Sequence, residues 1–180
     1  MTRAERVLRR VAFGWMAMIG LLGGLFVAGE TLDDPGGLAA VGLVCSWLVP
    51  LVALALFALR GGEKAGPVFS AATVVVAVFT ITDAAFGIVP RDDWGPVAAI
   101  AVFALGVSLA FLGLRHASLA GSLLLLLAAA QVAAGLAEAV DHEGPRNLLG
   151  GSSGVVIVPL AVGGVLFLLA GRRSGAVPAG

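Results

Sequence analysis

The chain has 180 residues, 59% of them hydrophobic and only 12% charged, with a mean hydropathy of +1.05 and a formal net charge of zero. Soluble domains run at roughly 45–50% apolar and about 25% charged residues. The composition therefore excludes a water-soluble domain, and six apolar runs leave connections too short for a separate one.

Residues 1–10 read as a basic cytoplasmic N-terminus, followed by spans at 11–29, 38–59, 67–89, 96–114, 117–139 and 154–171, with 172–180 as a cytoplasmic tail. Each run is near the ~20 residues that cross a ~30 Å hydrocarbon core. The runs are continuous rather than alternating, so the fold class is all-α, a polytopic bundle of six transmembrane helices within residues 11–171. The run from Val11 to Gly29 exceeds a signal-peptide core and lacks a good cleavage site, so it is read as a retained span.

Span one carries Gly20 and Gly24 as a GxxxG, a helix-packing signature, and Trp15 near its inner boundary as an interface anchor. Span two holds the single cysteine, Cys45, which excludes an intramolecular disulfide and a thiolate metal site built from this chain alone. Pro50 interrupts span two and Pro159 interrupts span six; each lacks an N–H, so the carbonyls of Ser46 and Val155 lose their usual donors and the helices are expected to kink.

Span three presents Thr73, Thr80 and Asp83 at helical spacing, with Asp83 about six positions, or roughly 9 Å, inside the expected outer end. An acid there costs up to ~2.5–3.5 kcal/mol on insertion scales, less toward the interface. On span five Gln131 and Glu138 share a face, and Glu30 closes span one at the same outer level. Together Asp83, Thr80, Glu138, Gln131 and Glu30 make a candidate polar or ion pocket. Interfacial solvation of the glutamates and hydrogen-bonded packing of Asp83 form the competing reading.

Only Leu114 through Ser118 separates spans four and five, implying a tight cytoplasmic turn. Before span six, Gly151-Ser152-Ser153-Gly154 matches the GxSG around a rhomboid-type nucleophile. A serine nucleophile needs a base within reach. The two histidines, His116 in an inner turn and His142 in an outer loop, are not placed as a rhomboid places its own, so no catalytic residue is assigned.

Charge fixes the orientation. Arg3, Arg6, Arg9, Arg10, Arg60, Lys64, Arg115, Arg172 and Arg173 lie on one side of the spans, and only Arg91 and Arg146 on the other. By the positive-inside rule both termini are cytoplasmic. Those arginines then face anionic lipid, and nucleic acid is not an expected partner. Arg60, Arg115 and Arg172 end similar Leu-rich phrases 55 and 57 residues apart, which suggests three αα hairpin pseudo-repeats. Any Leu-rich helix ending at a basic interface would also look like this.

The six-run layout, rich in Arg, Gly and Ala, resembles six-helix integral membrane proteins of actinobacteria. The order Trp15, Gly20, Gly24, Pro35, Arg60 in hairpin one loosely resembles the HdeD-like acid-resistance membrane proteins. Hairpins two and three lack the opening Trp, and Pro50 stands where that family prefers glycine, so no function or site residue is carried over. The resemblance implies a bacterial plasma (inner) membrane location.

There is no Walker loop, HExxH, CxxC or dinucleotide fingerprint, so no cofactor or metal site is expected. The sequence expectation is a non-enzymatic accessory, structural or stress-related membrane component acting through helix contacts, as a homo-oligomer or with another membrane protein. The alternative is a small proton- or cation-coupled transporter or channel using Asp83 and Glu138.

Overall fold

A computed structural model describes residues 3–33, 37–88, 97–141 and 152–172. Among them are six α-helices and no strand: α1 (Arg3–Asp33), α2 (Gly37–Arg60), α3 (Ala65–Phe86), α4 (Val97–Gly113), α5 (Ala117–Asp141) and α6 (Ser152–Arg172), with one 3-10 turn at Gly62–Lys64. Three segments, Arg3–Leu25, Gly62–Phe86 and Ala117–Ala137, are long and apolar enough to cross a membrane.

The helix ends differ from the sequence expectation in two informative places. α1 begins at Arg3 rather than at 11, because the segment from Arg3 to Arg10 holds neither Gly nor Pro and consists largely of strong helix formers. α3 stops at Phe86 rather than 89. Gly87 turns left-handed there (φ 58°, ψ 45°) and its N–H donates to the Asp83 carbonyl at 2.8 Å, a glycine C-cap.

α4 is the axis of the bundle. Val97–Gly113 contains no charged residue, and every residue from Leu105 to Ala110 is buried. A helix apolar on all sides finds its best place surrounded by other helices. The remaining five pack around it in the ring order α2, α1, α6, α5, α3, and the closing contact between α2 and α3 is slight. Sequence-adjacent pairing is strong only for α5 with α6. α3 packs far more with α5, and α1 more with α6, than either does with its expected hairpin partner.

Specific contacts give the helix directions. A Cβ on Gly171 would lie 2.7 Å from the Ser118 nitrogen, and one on Gly121 would lie 2.7 Å from the Leu168 nitrogen and 2.8 Å from the Gly164 carbonyl oxygen, so α5 and α6 run antiparallel with backbones touching. α1 and α4 are antiparallel too: Gly20 abuts Val107, while nearer the N-terminus Phe13 meets Phe111 edge-on at 5.1 Å. Phe57 near the end of α2 lies 6.2 Å from Phe69 near the start of α3. Gly66, at the start of α3, approaches Leu119, at the start of α5.

All six helices therefore begin or end at one common end of the bundle, and that end collects Arg3, Arg6, Arg9, Arg10, Arg60, Lys64, Arg115 and Arg172. The turn between α4 and α5 is three residues long; the N–H groups of Arg115 and His116 both donate to the Leu112 carbonyl at 2.9 Å. The Arg9 Nη1 donates to the Leu114 carbonyl at 3.0 Å, a cation at the negative end of α4.

The core is apolar, built on Val102, Leu105, Leu109, Leu112, Leu124 and Leu127 with the two phenylalanines Phe69 and Phe167. Outward faces are equally apolar. Leu21, Leu25, Val49 and Val75 are each more than 60% exposed, an arrangement suited to hydrocarbon rather than water.

Candidate functional site

Buried polar side chains are few: Glu5, Thr73, Thr80, Asp83, Ser108 and Gln131 among the described residues. Three of them are hydroxyls that return to their own helix. Thr73 donates to Phe69 O at 2.7 Å, Thr80 to Val76 O at 2.8 Å and Ser108 to Ala104 O at 2.9 Å. Such back-bonding satisfies the proton and leaves the hydroxyl oxygen able only to accept.

The α3 stripe faces protein rather than lipid. Thr73, Thr80 and Asp83 are at most 9% exposed, while Val74, Val75 and Val78 on the opposite side are more than half exposed. Because α3 stops at Phe86, Asp83 belongs to the last helical turn, three residues from the end and not six. Its depth is therefore about half of the ~9 Å expected from sequence.

The same position recurs in the two other helices that leave the basic end. Glu30 and Glu138 stand three residues before the last described residues of α1 and α5, Asp33 and Asp141. The spacings, 53 residues from Glu30 to Asp83 and 55 from Asp83 to Glu138, nearly match the arginine spacing. Helix C-termini carry partial negative charge, so an acid in a last turn is unfavourable by about 0.3–1 kcal/mol. The last described turns hold five such acids: Glu30 and Asp33 on α1, Asp83 on α3, and Glu138 and Asp141 on α5. The side chains of Glu30 and Glu138 lie outside the described residues, so only their helical positions are placed.

Gln131 is 8% exposed, and its Nε2 is buried with no hydrogen-bond partner among the described residues. Seven residues before it on the same face is Leu124, which reaches Gly106 of α4 and Gly163 of α6, so this face looks into the bundle. α3 and α5 run parallel from the Gly66 and Leu119 contact. Thr80 is 14 residues beyond Gly66 and Gln131 is 12 beyond Leu119, which puts the two within about 3 Å of one another in depth. Asp83 is about 7 Å farther from the basic end than Gln131.

The remaining sequence candidates are placed as follows. Gly20 packs on Val107 of α4, whereas a Cβ on Gly24 would meet nothing within 4 Å; the second close contact is made by Gly23, against Phe103. Pro50 is exposed on α2, and Cys45 on that helix is exposed as well. Pro159 is buried, and its carbonyl accepts from Trp15 Nε1 at 3.3 Å. Trp15 therefore reaches into the bundle instead of anchoring at an interface. Ser152 and Ser153 open α6, far from the exposed His116 at the basic end; Gly151 and His142 fall outside the described residues.

Arg9 and Glu5 were not marked by the linear pattern. Nothing distinguishes Arg9 from Arg3, Arg6 and Arg10 until burial does: the other three are exposed and Arg9 is not. Glu5, one helical turn earlier, is 2% exposed. Comparison with known proteins finds no matching family model, no matching curated protein and no matching solved structure.

Proposed function

We propose that the chain is a six-span protein of the bacterial plasma membrane with both termini cytoplasmic, and that it handles protons or small cations at its outer end instead of catalysing a reaction. The observation that carries this reading is the recurrence of Glu30, Asp83 and Glu138 in the last turns of α1, α3 and α5. Each acid adds its charge to a helix end that is already negative, so the outer end attracts cations while the basic end lies in anionic lipid. Asp83, buried and facing protein, is the residue assigned to bind the proton or cation, with Glu138 and Glu30 as neighbours in charge.

The test is flux into proteoliposomes driven by a pH or cation gradient. Asp83→Asn is expected to abolish the flux of the parent protein. Equal flux in the two, or none in either, would sink the proposal.

A second reading, association through helix contacts as an accessory or stress-related component, draws on Gly14 and Gly24, where an added Cβ would meet nothing within 4 Å on exposed positions of α1. Small residues left open on a lipid-facing helix permit a second helix to approach closely. Most of the other described helical glycines are already used inside the bundle, which is why this reading stands second. Cross-linking through Gly24→Cys in membranes would give a dimer or hetero-adduct if it holds, and monomer alone if it does not.

A further inference from the structure

The exposed side of α1 is basic at its start and apolar beyond. At about 100° per residue, Arg3, Arg6 and Arg10 fall within about 60° of one another round the helix. All three are exposed, whereas Arg9 turns inward to the Leu114 carbonyl. Past them the same side continues through Gly14, Met18 and Leu21. From Arg3 to Leu25 no acid is exposed, since Glu5, the one acid in that segment, is buried.

This stripe is electrostatically unfavourable as it stands. Cations three and four residues apart on a helix repel each other, and the first turns of a helix are already positive. An anion laid across the three guanidinium groups offsets both terms. Guanidinium suits phosphate, whose oxygens accept its paired, charge-assisted N–H donors.

One turn past Arg10 the surface is open. Gly14 is exposed, and an added Cβ there would meet nothing within 4 Å. Between the exposed side chains of Val11 and Met18, bare backbone therefore lies about 6 Å beyond Arg10 along the axis. Leu21, 65% exposed, prolongs this apolar track.

We propose that the stripe binds one anionic phospholipid of the inner leaflet. Its phosphate lies on Arg6 and Arg10, Arg3 adds to the field one turn nearer the water, and an acyl chain runs over Gly14, Met18 and Leu21. A second copy of the chain in the same orientation would set its own three arginines against these at equal height, so lipid is the occupant. The inference rests on the bilayer placement and cytoplasmic N-terminus proposed above and makes no use of the acidic helix ends.

The purified protein in dodecyl maltoside is titrated with phosphatidylglycerol, phosphatidylcholine of the same chains, or glycerol phosphate, and its thermal midpoint is followed. Phosphatidylglycerol is expected to act at a mole fraction at least about tenfold below phosphatidylcholine, and glycerol phosphate not at all. At roughly fivefold per arginine, Arg6→Gln combined with Arg10→Gln should weaken the phosphatidylglycerol response about 25-fold. If that variant fails to fold, Arg10→Gln alone serves, with a loss of about fivefold expected. Arg60→Gln combined with Arg172→Gln removes the same charge elsewhere at the basic end and should change the response less than about threefold. Gly14→Leu keeps every charge, fills the notch and should weaken the response severalfold. Equal action of the two lipids overturns the site, as does an equal loss from the Arg60 and Arg172 pair. A response to glycerol phosphate matching that to the lipid, or an unchanged response in Gly14→Leu, overturns it as well. Lipid preference without ion flux removes the transport reading and leaves the lipid site; Asp83-dependent flux without lipid preference does the reverse.

Discussion

Gly121 and Gly164 bring the backbones of α5 and α6 into direct contact: a Cβ on Gly121 would lie 2.8 Å from the Gly164 carbonyl oxygen, and one on Gly164 would lie 3.1 Å from the Gly121 carbonyl oxygen. In a membrane, where apolar surface is not driven together by water, such close approach is how helices gain dispersion energy and weak Cα–H···O contacts. It also explains why α5 and α6 form the tightest pair in the bundle.

Gly121→Ala is predicted to destabilise the bundle by about 1–3 kcal/mol, the usual range for overpacking, because the clash is with backbone that has no rotamer to change. Gly24→Ala should be neutral or stabilising by up to about 1 kcal/mol, since nothing lies within 4 Å and Ala is the better helix former. Thermal unfolding in detergent compares the two, and equal midpoints would refute the assignment of the α5–α6 seam.

Trp15→Phe removes the Nε1 donor to Pro159 O together with part of the indole's volume. The expected loss is at least about 0.5–1.5 kcal/mol, the net worth of one hydrogen bond. Trp15→Phe as stable as the parent would mean that the 3.3 Å contact contributes nothing.

Arg9→Met and Arg10→Met remove the same charge from neighbouring positions. Arg9 caps the end of α4 through Leu114 O, and its removal should cost about 1.5 kcal/mol, the low end for a charged donor. Arg10 is exposed, and its removal should stay within about 0.5 kcal/mol of the parent. Chemical denaturation of the two variants side by side decides it; matching curves would remove the cap.

Gly87→Ala tests the end of α3. The φ of 58° disfavours a side chain by roughly 1–2 kcal/mol, and nothing within 4 Å adds a clash, so the whole effect is backbone conformation. Hydrogen exchange at the last-turn amides should accelerate there and not at the start of α3. Unchanged exchange would place the helix end elsewhere.

Topology is tested by fusion. A fluorescent protein appended after Gly180 or inserted after Lys64 should fluoresce in the cytoplasm, and alkaline phosphatase fused after Asp92 should be active outside. The converse pattern at any of these points would overturn the orientation proposed from the arginines.

Much of the fold was legible because hydrophobic runs and Gly/Pro breaks are local signals. The starts of α4 and α5 fall within one residue of the sequence expectation. The end of α3 was not legible, because Phe86-Gly87-Ile88-Val89 reads as one apolar run while Gly87 stops the helix through its backbone conformation. That difference moved Asp83 into the last turn of α3. Arg9 and Trp15 could not have been singled out, since their partners, Leu114 and Pro159, lie 105 and 144 residues away.

The sequence by itself determined an all-helical, bilayer-compatible chain and gathered its basic residues into alternate connections, because hydropathy and charge act residue by residue against the solvent. Only the tertiary structure decided that α4 is the axis, that α3 pairs with α5 in place of its expected hairpin partner, and that Gln131 and Thr80 come to nearly equal depth. Those outcomes depend on which small faces allow backbones to touch, a property of paired surfaces that no single helix carries.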